Sequence, residues 1–133
     1  MAKITGFLVD LNTGKACAKT VDHTLESFYK ILDCDTIDVV HRNIGGKRFN
    51  IICDDEALLK SPRHTSAVDP MFEPMLFGNL FVVGLSDENG DFTNLTRAQL
   101  LHLKQCRLPT YIYHPTDNGH ERRLVRILHP VTL

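Results

Sequence analysis

Leu76–Lys104, LFGNLFVVGLSDENGDFTNLTRAQLLHLK, decides the fold of this chain. Leu76–Leu85 is almost unbroken apolar sequence, and such continuity predicts a central strand covered on both faces. Asp87-Glu88-Asn89-Gly90-Asp91 follows as a turn, by the ordinary preferences of Asp, Asn and Gly. Thr96-Arg97-Ala98-Gln99 then forms a capping box, in which Thr96 and Gln99 satisfy exposed amides reciprocally. Leu95 and Leu100 are spaced to staple a helix that runs to about Cys106 and buries Leu100 and Leu103, with Leu101 beside them.

Towards the N-terminus, Lys3–Asp10 alternates, with Ile4, Gly6 and Leu8 on one side and Phe7 and Val9 on the other. Asn12-Thr13-Gly14 turns it into a second strand, Lys15–Val21. Asp22 or Thr24 can cap a helix whose Leu25, Phe28, Ile31 and Leu32 share a face, ending near Asp33. Thr36–Arg42 and Lys47–Cys53 are strands joined around Asn43-Ile44-Gly45-Gly46, where the glycines tolerate positive φ. Asp54-Asp55-Glu56 leads into a short turn or helix at Ala57–Lys60. Ser61–Pro74 is the longest irregular stretch, with Pro62, Pro70 and Pro74 opposing regular structure. Leu108–His114 and Glu121–Leu128 close the chain as a hairpin around Asp117-Asn118-Gly119. Simple alternation puts Arg122, Leu124, Arg126 and Leu128 on one side and Arg123, Val125 and Ile127 on the other. The order ββαββ–loop–βα–ββ is an α+β layout, with both helices expected on one face of a mostly antiparallel sheet.

A length of 133 residues is that of a single domain. The 43% hydrophobic and 23% charged content is ordinary for a globular protein. No apolar run reaches a membrane span, so no membrane partner is expected. MAKITGFLVD has no long apolar region or cleavage site, so no secretion signal is expected and the chain reads as cytoplasmic. Cys17, Cys34, Cys53 and Cys106 lack metal-type spacing and read as reduced thiols, several of them packed as small apolar residues. Charge is uneven: residues 36–95 hold five Lys/Arg against nine Asp/Glu, and residues 96–133 hold six against two. Duplex nucleic acid would want a larger basic excess, so it is not an expected partner. Complementary faces of this kind are also compatible with self-association.

Several constellations suggest chemistry. Asp87-Glu88-Asn89-Gly90-Asp91 begins like a calcium loop but has Gly at the fourth position and Ala98 at the twelfth, so no metal is expected. No phosphate-binding glycine signature is present, and no cofactor is expected. Lys60, Arg63 and His64, with Ser61, Thr65 and Ser66, place cations and hydroxyls in one segment that could hold a phosphate. Its plainer reading is an exposed polar loop. Arg122, Arg123 and Arg126, with Tyr111 and Tyr113 on the partner strand, could hold phosphates and stack a base. The plainer reading there is a charged edge that blocks strand pairing. His64-Thr65-Ser66 and His114-Pro115-Thr116 resemble the paired triplets of two-histidine phosphoesterases, although those lie within strands and His64 is expected in a loop. His41 and Cys53 face each other only loosely across a hairpin, and no catalytic residue is assigned.

TLESFYKILDCDTIDVVHR, then CDDEALL, then LFGNLFVVGLSDENGDFTNLTRAQL resembles an uncharacterised family of small phage and mobile-element proteins. The shared signature is an F-G-N-x-F-V-V-G strand followed by a D-x-x-G-D-F-x-x-L-T turn and cap. The resemblance covers about residues 1–105, leaving 106–133 as an added hairpin. It implies an accessory protein in a bacterial host cytoplasm that disarms host defence. The leading expectation is a non-enzymatic homo-oligomer that sequesters a small nucleotide immune signal. The alternatives are a protein-binding inhibitor using Asp54, Asp55, Glu56, Asp87, Glu88 and Asp91, and a phosphoesterase using His64 and His114.

Overall fold

In the computed structural model, residues 2–10, 15–56, 63–66, 76–106, 108–116 and 119–128 are described, of which 63–66, 108–116 and 119–128 as backbone and register. Lys3–Asp10 (β1) and Lys15–Asp22 (β2) pair along their whole length, from Lys3 opposite Asp22 to Asp10 opposite Lys15. Leu25–Leu32 (α1) is capped by Thr24, whose hydroxyl accepts from the Ser27 amide, and stops at Asp33 in a left-handed conformation. Asp22 is not the cap; it is ion-paired with Lys3 at 2.7 Å. Leu25 is exposed, so Phe28 and Leu32 form the buried stripe with Ile31 half-buried.

Ile37–Ile44 (β3) and Lys47–Asp54 (β4) form a hairpin with Ile44 opposite Lys47. Its two-residue turn is Gly45-Gly46, both at positive φ (59° and 85°), the conformation whose twist suits a tight hairpin. Arg63–Ser66 (β5), Leu76–Phe77 (β6) and Leu80–Val83 (β7) follow, then Arg97–Gln105 (α2), Leu108–Thr116 (β8) and Gly119–Leu128 (β9). The capping box is present in full: the Gln99 amide donates to Thr96 Oγ1 at 3.1 Å and the Thr96 amide to Gln99 Oε1 at 2.8 Å. Leu95 and Leu103 are buried beneath α2, whereas Leu101 is exposed.

Two antiparallel sheets result, ordered β2-β1-β7-β4-β3 and β6-β5-β8-β9. The fold class is α+β, as the order of elements requires. Three features differ from the sequence reading. First, the apolar run 76–85 is divided between the sheets: β6 pairs with β5, while β7 lies between β1 and β4. Gly78, at φ 77°, makes the change of direction possible. Second, Arg63–Ser66 is a strand. It pairs with Thr110–Tyr113, four of the five residues of β8 that lie between Pro109 and Pro115.

Third, the helices cover opposite faces of the five-stranded sheet. Phe28 and Leu32 of α1 pack with Ile4, Leu8, Ile52, Phe81 and Val83. Leu103 of α2 packs with Phe7, Val9, Phe49, Ile51, Leu80 and Val82. The period of two along β1 sends Ile4 and Leu8 to one layer and Phe7 and Val9 to the other, so each face needs its own cover. All four residues of β7 are buried, as a strand at the centre of that double layer should be.

Candidate functional site

The second sheet brings together the two cationic segments that the sequence left apart. Arg63 of β5 stands opposite Tyr113 of β8, and Tyr113 stands opposite Arg122 of β9. Thr65, Tyr111 and Leu124 form the next row of that alternation. In the intervening rows His64 meets Ile112 and Arg123, and Ser66 meets Thr110 and Arg126. Directly opposed residues have Cβ atoms about 4.5–5.5 Å apart, so each row is a set of neighbours. The register slips between Thr110 and Tyr111, which leaves Val125 as the extra residue of a bulge. The slip corrects the alternation read from sequence: Arg123 and Arg126 share rows of one parity, and Arg122 belongs to the other. Lys60 lies outside the described residues, as does the Ala57–Lys60 turn.

His64 is two residues along the ladder from a direct pairing with His114, because its partner on β8 is Ile112. Both His-x-Ser/Thr triplets therefore lie on strands of one sheet, which removes the objection that His64 sits in a loop. The acidic residues are not gathered in the same way. Asp54 ends β4 beside the start of β7, where Cys53 meets Leu80, and Asp87–Asp91 follow the other end of β7. Asp87 is engaged locally, its Oδ1 accepting from the Asn89 and Asp91 amides at 2.8 and 3.0 Å. Asp54 Oδ1 accepts from the Glu56 amide at 2.9 Å.

The two cysteine–histidine combinations are structural. His41 stands opposite Asn50 and Cys53 opposite Asp38, so the hairpin does not join His41 to Cys53. Cys53 is buried, and its thiol donates to the Asp38 carbonyl at 3.6 Å. Burial, reinforced by the Asp38 carboxylate, pushes its pKa up to about 12 from an ordinary 9.0. Such a thiol is protonated and inert at neutral pH. His102 Nε2 lies 2.8 Å from the Ile44 carbonyl. A carbonyl only accepts, so Nε2 carries the proton and cannot act as a base towards Cys106, whose Sγ is 3.9 Å away. His102 also stacks on Phe49 at 6.2 Å, pinning α2 to the β3–β4 turn.

Cys53 also sets a pH dependence. Its thiol ionises more readily in the unfolded chain, so its contribution is constant below pH 9 and is lost as the pH rises from 9 towards 12. Between pH 8 and pH 10 the wild-type chain should lose about 1 kcal/mol more stability than Cys53→Ala does. Urea midpoints at the two pH values read that difference. Parallel pH slopes for the two proteins would contradict it.

A cavity lined by described residues lies away from the second sheet. It is a groove of about 520 Å³ between α1 and the β1–β2 hairpin, bordered by Lys19, Ser27 and Lys30 among others. Sequence inspection missed it because these side chains meet only when α1 folds over the hairpin; no spacing motif marks them. Among the described residues no group of His, Cys, Asp and Glu is arranged to hold a metal. Among them, too, no helix is long and apolar enough to cross a membrane.

Comparison with curated proteins and with solved structures gave no match. Residues 4–106, from the start of β1 to the end of α2, match the model of a domain of unknown function (DUF3846). That span holds the five-stranded sheet except Lys3, both helices and the two short strands of the second sheet. The chain therefore belongs to this uncharacterised DUF3846 family.

Proposed function

We propose that this chain binds a small nucleotide without turning it over, using the four-stranded sheet as its site. The observation that carries the proposal is the row Arg63–Tyr113–Arg122, two guanidinium-bearing positions on either side of an aromatic one. Such a row suits a phosphorylated ligand with a planar base, since arginine forks match phosphate oxygens and tyrosine offers a stacking surface. Arg123, Arg126 and Ser66, on rows of the other parity, add to the cationic and hydroxyl character of the same sheet. β9 is an outer strand of 10 residues, an edge along which a second copy could pair, in keeping with a homo-oligomer. The biological setting belongs to the proposal as well: a phage- or mobile-element-encoded protein in a bacterial cytoplasm, sequestering an immune signal.

Calorimetry against cyclic dinucleotides and ADP-ribose derivatives should find a ligand held tighter than ~1 mM, about −4 kcal/mol. Arg63→Gln and Arg122→Gln should each weaken it by about tenfold or more, the scale of one charge-assisted hydrogen bond. The ligand should be recovered intact. Absence of any such ligand, or indifference to both substitutions, would sink the proposal.

A second reading, cleavage of the nucleotide by a two-histidine phosphoesterase, is favoured by one observation. His64-Thr65-Ser66 and His114-Pro115-Thr116 occupy adjacent strands with their histidines diagonal across the ladder. In that chemistry one histidine acts as base and the other as acid on the phosphodiester. Product in the chromatogram that disappears with His64→Ala would decide for it; intact nucleotide after long incubation decides for sequestration.

A further inference from the structure

We infer that the groove between α1 and the β1–β2 hairpin is a second, independent site for a small phosphate monoester. At about 520 Å³ it has the size of a small-molecule pocket. Three lysines border it, but they are not equivalent. Lys3 is neutralised by Asp22 at 2.7 Å. Lys19 on β2 and Lys30 on α1 have no acidic partner among the described residues, and both line the groove.

Ser27 supplies the directional element. Its Oγ accepts from the Thr24 hydroxyl at 3.0 Å, while Thr24 Oγ1 itself accepts from the Ser27 amide. A hydroxyl has one proton, and that of Ser27 is left to donate into the groove. Two ammonium groups and a free hydroxyl donor form a phosphate-type recognition set. Leu8, Val21 and Ile31 line the same groove and offer an apolar bed for the body of the ligand.

The far end limits what that body can be. Asp10 also borders the groove, four residues along β1 from Gly6, the partner of Lys19. Four strand residues span about 13 Å, which sets Asp10 well along the groove from Lys19. The groove thus suits one phosphate beside Lys19 and Lys30 and a partly apolar body on Leu8, Val21 and Ile31 that reaches no farther than Asp10.

Phenyl phosphate is the probe, with benzyl alcohol as its uncharged counterpart and inorganic phosphate as the bare anion. In amide-resolved NMR titration of the full chain, phenyl phosphate should give saturable shifts at Lys19, Val21, Ser27 and Lys30, complete by about 10 mM. Benzyl alcohol should give none, and inorganic phosphate should bind about tenfold more weakly. Both lysines are exposed, so Lys19→Gln/Lys30→Gln keeps the fold and should weaken phenyl phosphate at least tenfold. Arg63→Gln/Arg122→Gln should leave that binding unchanged, which separates this site from the one on the second sheet. Shifts absent from the groove, or an affinity untouched by the double lysine variant, would overturn the inference.

Discussion

Phe81→Ala should destabilise the protein by about 3–5 kcal/mol, the range for deleting a fully buried aromatic side chain. Phe81 has no exposed surface and sits on the central strand between Leu8 and Ile52, its register partners on either side. Its ring lies 6.1 Å from that of Phe28, which is the principal anchor of α1. Truncation therefore removes both the middle of the layer and the surface on which an eight-residue helix rests. A helix this short is marginal in water and keeps its shape through its packed stripe, so α1 should loosen with the core. Against a total stability of the order of 5–15 kcal/mol, the loss should show as a large fall in the urea midpoint. Leu101→Ala on the exposed side of α2 should change it by less than about 0.5 kcal/mol. A Phe81→Ala cost under about 1 kcal/mol would mean that the layer between α1 and the sheet is not packed as described.

The local elements were readable because each is specified by short-range physics. The Thr96–Gln99 box, the Gly45-Gly46 turn and the Thr24 cap all depend on residues within four positions of one another. What escaped the sequence was partnership between distant segments. Arg63–Ser66 has no apolar alternation and is a strand only because the stretch of β8 between its prolines supplies a ladder. The division of 76–85 was marked by Gly78-Asn79, but a glycine within an apolar run is equally compatible with a bulge. The continuous burial predicted for that run already required cover on both faces. Placing both helices on one face was inconsistent with it, and the two packing layers resolve the conflict. At the candidate site, residue types were legible and adjacency was not. Lys60 falls outside the described residues, whereas Arg63, Tyr113 and Arg122 stand in one row, and the bulge at Val125 sets Arg126 in step with Arg123. A one-residue slip changes parity, and nothing in the alternation of Arg122–Leu128 announces it.

Gly6→Ala should cost about 2–3 kcal/mol, at the upper end for overpacking, and its cost should be only partly recoverable. A Cβ at Gly6 would lie 2.6 Å from the Val82 carbonyl oxygen and 2.7 Å from the tip of the Phe81 ring. These two obstacles differ in kind. The ring belongs to a side chain that can be shortened, whereas the carbonyl belongs to the backbone of β7, which the β1 and β4 ladders hold on both sides. Phe81→Leu removes the ring contact and leaves the carbonyl. In the double variant Gly6→Ala/Phe81→Leu the two losses should therefore be less than additive, with a coupling of about 1 kcal/mol. Full additivity would show that the ring moves aside freely, and complete rescue would show that β1 and β7 can separate without cost. The expected intermediate value, read from urea midpoints of the four proteins, would establish that glycine at this position serves the close approach of α1's packing layer to β1. Gly6 thus ties the alternation of β1, visible in the first ten residues, to the two-sided cover of the strand buried at the centre of the sheet.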